Sequence, residues 1–120
     1  MNYKFSSDRP IFIQLAEFLE NDILNGIFQE EKPIPSTTEL SVVLKLNPAT
    51  TLKGVNLLVE QGLVEKKRGI GMFVVPGAVE KILQKKRQGF IDEYIKPLVK
   101  EAKSLKIECD ELISSIKENY

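Results

Sequence analysis

Ile11, Leu15, Phe18, Leu19 and Ile23 fall on one face of a 3.6-residue period, which predicts a first amphipathic helix. Pro10 suits its opening turn, where a missing N–H costs nothing. Asn25-Gly26 closes it, with Gly26 able to take the left-handed cap conformation. The period is lost over residues 27–35, which carry Pro33 and Pro35 and read as a loop. A short second helix is predicted over about 36–45. Ser36-Thr37-Thr38-Glu39 forms a capping box at its start, and Leu40, Val43 and Leu44 make its apolar side. Asn47 is a good N-cap and Pro48 a good first helical residue for a third helix ending near Gln61. Leu52, Val55, Leu58 and Val59 are its expected core side, and Gly62 stops it.

The period then changes. Leu63–Lys67 and Met72–Val75 read as two strands, joined by a tip from Arg68 to Gly71 whose two glycines permit positive φ. Helix, turn, helix and basic-tipped hairpin in this order describe a winged helix-turn-helix. Pro76-Gly77 marks its end. Beyond it, Val79, Ile82, Leu83, Phe90, Ile91, Tyr94, Leu98, Ala102 and Leu105 form a long helical stripe, with Gly89 and Pro97 as weak points. A break near Lys106 precedes a last helix with Leu112, Ile113 and Ile116 on one face. Two such helices cannot bury both stripes alone, so they need the winged module or a second copy. The expected fold is mostly α with a small β-hairpin. A winged helix-turn-helix over residues 1–77 precedes a two-helix tail over 78–120, and Phe90, Tyr94, Leu98, Leu112 and Ile116 are the candidate dimerisation residues.

Composition narrows the function. A chain of 120 residues, 42% hydrophobic, is one domain or one domain with an appendage. No apolar stretch is long enough to span a membrane, and Met1–Phe5 does not read as a signal peptide. The single cysteine, Cys109, forms no internal disulfide, which suits a reducing cytoplasm. Without histidine there is no Cys/His zinc site and no histidine base, and neither a paired-carboxylate nor a glycine-loop motif points to an enzyme or a cofactor. The 17 basic and 17 acidic residues cancel, but their distribution is uneven. Lys45, Lys53, Lys66, Lys67 and Arg68 face only Glu60 and Glu65 in the same span, so one face can be positive.

A recognition helix presents its N-terminal residues to base edges in the major groove. Asn47, Ala49, Thr50, Thr51 and Lys53 are the candidates, although Asn47 also suits a capping role alone, Thr50 plain solvation at a helix start, and Lys53 an ordinary exposed lysine. Ser36 caps the second helix, whose N-terminus can also receive a phosphate. Lys66, Lys67 and Arg68 favour phosphate or minor-groove contact over a merely solvated tip.

These motifs resemble the GntR family of bacterial transcription regulators, in its small YtrA-like subgroup. Pro35-Ser36 and Glu39-Leu40 are similar to the family's second-helix opening, and Asn47-Pro48-Ala49-Thr50 to the subgroup's start of the recognition helix. Leu57–Val64 resembles the helix-to-wing junction, and Arg68-Gly69-Ile70-Gly71-Met72-Phe73-Val74 the wing. The resemblance covers residues 9–75. It implies a repressor that binds double-stranded DNA as a homodimer on a roughly palindromic operator, with Thr38 and Gly69 joining the DNA-contacting positions. The chain departs from the family at Thr38 and Leu52, where arginine is common, at Ala49, where the subgroup has asparagine, and at Ile70, where the wing has lysine. Two rival readings remain at this stage: a winged-helix interaction module that has lost DNA binding, and a sensor responding to a small-molecule effector.

Overall fold

The computed structural model describes every residue from Met1 to Tyr120. Its elements run α1 (Ile11–Leu24), β1 (Pro33–Ile34), α2 (Thr37–Leu44), α3 (Pro48–Glu60), β2 (Val64–Lys67), β3 (Gly71–Val74) and α4 (Ala78–Phe90). A π-helical turn (Ile91–Ile95), α5 (Lys96–Ser104) and α6 (Cys109–Asn119) follow. The fold is mostly helical with one small antiparallel sheet, as the hydrophobic pattern predicts. The chain forms two compact units, Met1–Leu83 and Gln84–Tyr120.

In the first unit the apolar faces of three helices meet over the sheet. Leu15, Leu19 and Ile23 of α1, Leu40 of α2, and Val55 and Leu58 of α3 pack with Val64, Val74, Ala78 and Ile82. Each large aliphatic side chain buried in this way contributes roughly 1.5–3 kcal/mol. The closest approach is at Gly54, where an added Cβ would stand 2.9 Å from Leu15 Cδ2 and 3.0 Å from the Phe12 carbonyl oxygen. Glycine there lets α3 lie directly against α1.

The helices of this unit share one ending. Ile27 N–H donates to the Asp22 carbonyl, Leu46 to Ser41 and Leu63 to Leu58, each bond spanning a single left-handed residue. This is the Schellman closure. Gly26 and Gly62 fill the left-handed position for α1 and α3, whereas Lys45 takes it after α2 at φ 56°. The turn between α2 and α3 is therefore only three residues long.

Three details differ from the sequence reading. Val43 and Leu52, expected in the core, are exposed. On so short a helix the buried arc runs through Leu40, Ser41 and Leu44, and Val43 falls outside it. Ser41 takes the inward place because its hydroxyl donates to the Thr37 carbonyl at 2.8 Å, which satisfies it inside the core. Leu52 lies on the rim of the arc that α3 buries through Thr51, Gly54, Val55 and Leu58. The third difference is in the expected loop 27–35, which contributes β1. Pro33 pairs with Phe73 and Ile34 with Met72, giving a three-stranded sheet in the order β1-β3-β2.

Residues 1–9 form no helix or strand, yet they are anchored to α1. Tyr3 stacks on Phe18 with ring centroids 4.7 Å apart, and Phe5 meets Phe18 edge-on. The Tyr3 hydroxyl donates to the Asp22 carboxylate. Gln14 receives the Ser6 N–H on its side-chain oxygen and donates to the carbonyls of Ser6 and Arg9. Arg9 pairs with Glu17 through two nitrogens at 2.7 and 2.8 Å.

In the second unit the helix is continuous across the π-helical turn, where Lys96 N–H donates to the Ile91 carbonyl, five residues back. That wider turn accommodates Pro97, which has no N–H to give and whose ring would meet the carbonyl four residues earlier in a regular α-helix. The break expected near Lys106 is present. Lys106 adopts φ 61° and Ile107 N–H closes α5 by donating to the Ala102 carbonyl at 2.9 Å. Phe90, Ile91, Tyr94, Leu98, Leu105, Ile113 and Ile116 are all exposed. No helix is long and apolar enough to cross a membrane.

Candidate nucleic-acid interface

The inward face of α3 fixes what its outward face can present. With Thr51, Gly54, Val55 and Leu58 turned to the core, Ala49, Leu52, Lys53 and Asn56 project outward at i, i+3, i+4 and i+7 spacing. Asn47 caps the helix, its side-chain oxygen accepting the Ala49 N–H at 2.8 Å. Thr50 is half-buried beside them. Thr51 has no exposed surface, and its hydroxyl donates to the Asn47 carbonyl at 3.3 Å. Its side chain belongs to the core and not to the outward face, which removes it from the group expected to meet DNA. Lys53 Nζ lies 5.6 Å from the centre of the Phe12 ring, within cation–π range.

At the start of α2, Ser36 accepts the Glu39 N–H on its hydroxyl at 3.1 Å, which is one of the two bonds of the expected capping box. Ser36 and Thr38 are both exposed. The remaining free N–H groups of this helix end and its dipole favour an anion.

The wing is the β2–β3 hairpin, in register from Val64↔Val74 to Lys67↔Gly71. Ile70 N–H donates to the Lys67 carbonyl at 2.9 Å, and Gly69 at φ 78° supplies the turn's left-handed residue. The three cations before it are not equivalent. Lys66 Nζ donates to the Asn56 side-chain oxygen at 2.9 Å and so ties the wing to α3. Lys67 sits 3.6 Å from Glu65 and over the Phe73 ring at 4.7 Å. Arg68 is exposed at the tip. Between this wing and the α2 start runs an open groove of about 590 Å³, lined by Ser36, Thr37, Glu39, Lys66, Arg68 and Met72 among others. A helix N-terminus on one wall and cations on the other suit a phosphate backbone.

The sequence reading locates the wing and the caps, and places Ala49 and Lys53 on the outward side of α3, but it exchanges Thr51 and Leu52, the first being buried and the second exposed. It does not identify Asn56 or Phe12 as neighbours of the cations, and it names Glu65 only as a charge in the same span. Asn56 was recoverable from spacing, since it lies two turns beyond Ala49. The cross-strand and inter-helix contacts have no local signal. No three Asp, Glu or Cys side chains gather as a metal-binding group.

Residues 13–74 match the family model described as bacterial regulatory proteins, gntR family. The chain is 30% identical over 112 residues to the transcriptional repressor YtrA of Bacillus subtilis, covering 93% of this chain and 85% of that protein. A GntR-family transcriptional regulator from Bacteroides thetaiotaomicron has a similar structure. Its TM-score is 0.75 at 31% identity, covering 90% of this chain and 94% of that one. The DNA-binding domain of AraR, solved in complex with operator ORX1, is 28% identical with a TM-score of 0.55 and covers 62% of this chain and 92% of its own.

Proposed function

The chain belongs to the GntR family of bacterial regulatory proteins and is a DNA-binding transcription regulator, and on that premise we propose that it acts as a homodimeric repressor on a roughly palindromic operator. The observation that carries this reading is the joint placement of the outward face of α3 and the wing, linked by the Lys66–Asn56 hydrogen bond. In this reading α3 enters the major groove, with Asn47, Ala49, Thr50 and Lys53 at base edges or phosphates. Lys67, Arg68 and the Gly69 turn follow the backbone or the minor groove, and Ser36 and Thr38 hold a phosphate at the α2 start. The winged module of residues 1–77 reads the DNA, and the segment from Ala78 onward joins two copies.

The exposed stripe of Phe90, Tyr94 and Leu98, with Ile116 and the half-buried Leu112, supports pairing with a second copy. A chain of this size gains substantially from burying such a surface. Pairing about a two-fold axis presents two α3 helices to two half-sites and makes the operator palindromic. Repression follows when the dimer occupies promoter DNA, and the repressor named YtrA is similar over most of its length.

The test is the mass of the protein and of its operator complex. Sedimentation of the full chain should give a dimer, and each operator duplex should take up two copies. Tyr94→Glu with Leu98→Glu should yield monomers and weaken operator binding by tenfold or more. A monomeric native chain binding one copy per operator would refute the proposal.

A further inference from the structure

The outward face of α3 has an unusual chemical makeup for reading DNA. The most informative base contact is a bidentate one, from arginine or lysine to guanine or from asparagine or glutamine to adenine. The helix Pro48–Glu60 contains neither arginine nor glutamine. Its one lysine, Lys53, leans over the Phe12 ring of α1. Its one asparagine, Asn56, has its side-chain oxygen occupied by Lys66. The residue preceding the helix, Asn47, spends its side-chain oxygen on the cap. The lysine and the two asparagines therefore each make a contact within the protein that a bidentate base contact would have to replace.

The apolar groups of the same face keep open surface. Leu52 is 42% exposed although it lies one turn into the helix, beside the exposed methyl of Ala49. These two side chains are neighbours at i and i+3, and both keep open surface on the same face. In the major groove the one apolar group a base pair presents is the 5-methyl of thymine. An isobutyl group and a methyl side by side on the groove-facing surface match that target and gain nothing from a guanine edge.

We infer that Leu52, with Ala49, is a specificity-determining residue that selects thymine through its 5-methyl group. This rests on the reading of α3 as the groove-entering helix. Each half-site then carries an A·T pair, thymine towards the protein, opposite Leu52. Discrimination comes from methyl burial and not from hydrogen bonding. Burying one methyl(ene) group corresponds to about a fourfold change in affinity.

The experiment uses the full chain and the DNA upstream of its own gene, with the protected segment mapped first. Thymines in that segment are replaced one at a time by deoxyuridine, which removes only the methyl group and keeps every hydrogen bond. One or two positions in each half-site should lose about fourfold or more in affinity. For Leu52→Ala that thymine-to-uracil difference should disappear. Leu52 is partly exposed, so the variant keeps its core, and unchanged circular dichroism checks this. Equal affinity for thymine and uracil at every position, with sequence-preferring binding intact, would overturn the inference and leave the regulator reading standing. Absence of binding to either duplex would overturn both.

Discussion

Arg68 and Lys67 are adjacent at the wing but differ in what DNA must displace. Lys67 lies between Glu65 and the Phe73 ring, whereas Arg68 stands at the exposed tip. A cation that meets a phosphate releases counterions, and each contact adds about one unit to the salt slope. Arg68→Ala should therefore weaken binding to all duplexes and reduce the slope of log affinity against log salt by about one. Glu65→Gln should strengthen it by freeing Lys67. Titrations at several salt concentrations check both, and unchanged slopes would remove the wing from the contact set. At this scale much was legible in the sequence. Ser36 and Asn47 cap their helices because short polar side chains ahead of a helix have few alternatives. Thr51 was not legible, because a threonine at a helix start suits a base edge and a buried bond to the Asn47 carbonyl equally well. Only the packing of α3 decides between them.

Tyr3 gives the anchored N-terminal arm a pH dependence in the alkaline range. Burial pushes its phenol above the usual value of 10.0, and the hydrogen bond to Asp22 and that carboxylate's charge act in the same direction. The folded state thus favours the neutral phenol. Its contribution is fully present below pH 10 and declines as the unfolded chain ionises above it. Tyr3→Phe should lose about 1–2 kcal/mol at neutral pH. The gap in Tm between the two proteins should narrow above pH 10. A gap that stays constant to pH 11 would contradict the buried bond.

Among the elements, two glycines in helices should respond oppositely to the same substitution. Gly89 lies in α4 with nothing within 4 Å of an added Cβ, so Gly89→Ala should stabilise by about 1 kcal/mol through helix propensity. Gly54 presses against Leu15 and the Phe12 carbonyl, so Gly54→Ala should destabilise by roughly 1–3 kcal/mol as α3 moves off α1. Thermal unfolding of the two variants checks the signs, and a stable Gly54→Ala protein would contradict the close approach. The same contrast explains what the sequence revealed about elements. Periodicity and caps locate α1, α2, α3 and the hairpin because each spans several repeats of its own period. The strand β1 has two residues, too few for alternation, and exists only because β3 offers an edge. Likewise Val43 and Leu52 satisfy a helical stripe on paper, but the neighbouring helices cover a narrower arc than the stripe.

For the whole molecule, the winged architecture was legible because each local signal agreed with the next in order. Where the first unit ends was harder to read. Pro76-Gly77 is the visible break, yet Ala78 and Ile82 beyond it have no exposed surface and complete the core, and the first unit extends through Leu83. Net charge was the least informative quantity. It is zero over the chain while cations gather at the wing. Affinity dominated by such a local patch depends steeply on salt, whatever the total charge. The most direct measurement is binding of the full chain to the DNA upstream of its own gene and to a scrambled duplex, each at about 50 and 200 mM salt. Tighter binding to the upstream DNA, with affinity for both duplexes falling at least tenfold at the higher salt, is the predicted result. Equal, weak and salt-independent binding to both duplexes would contradict the account.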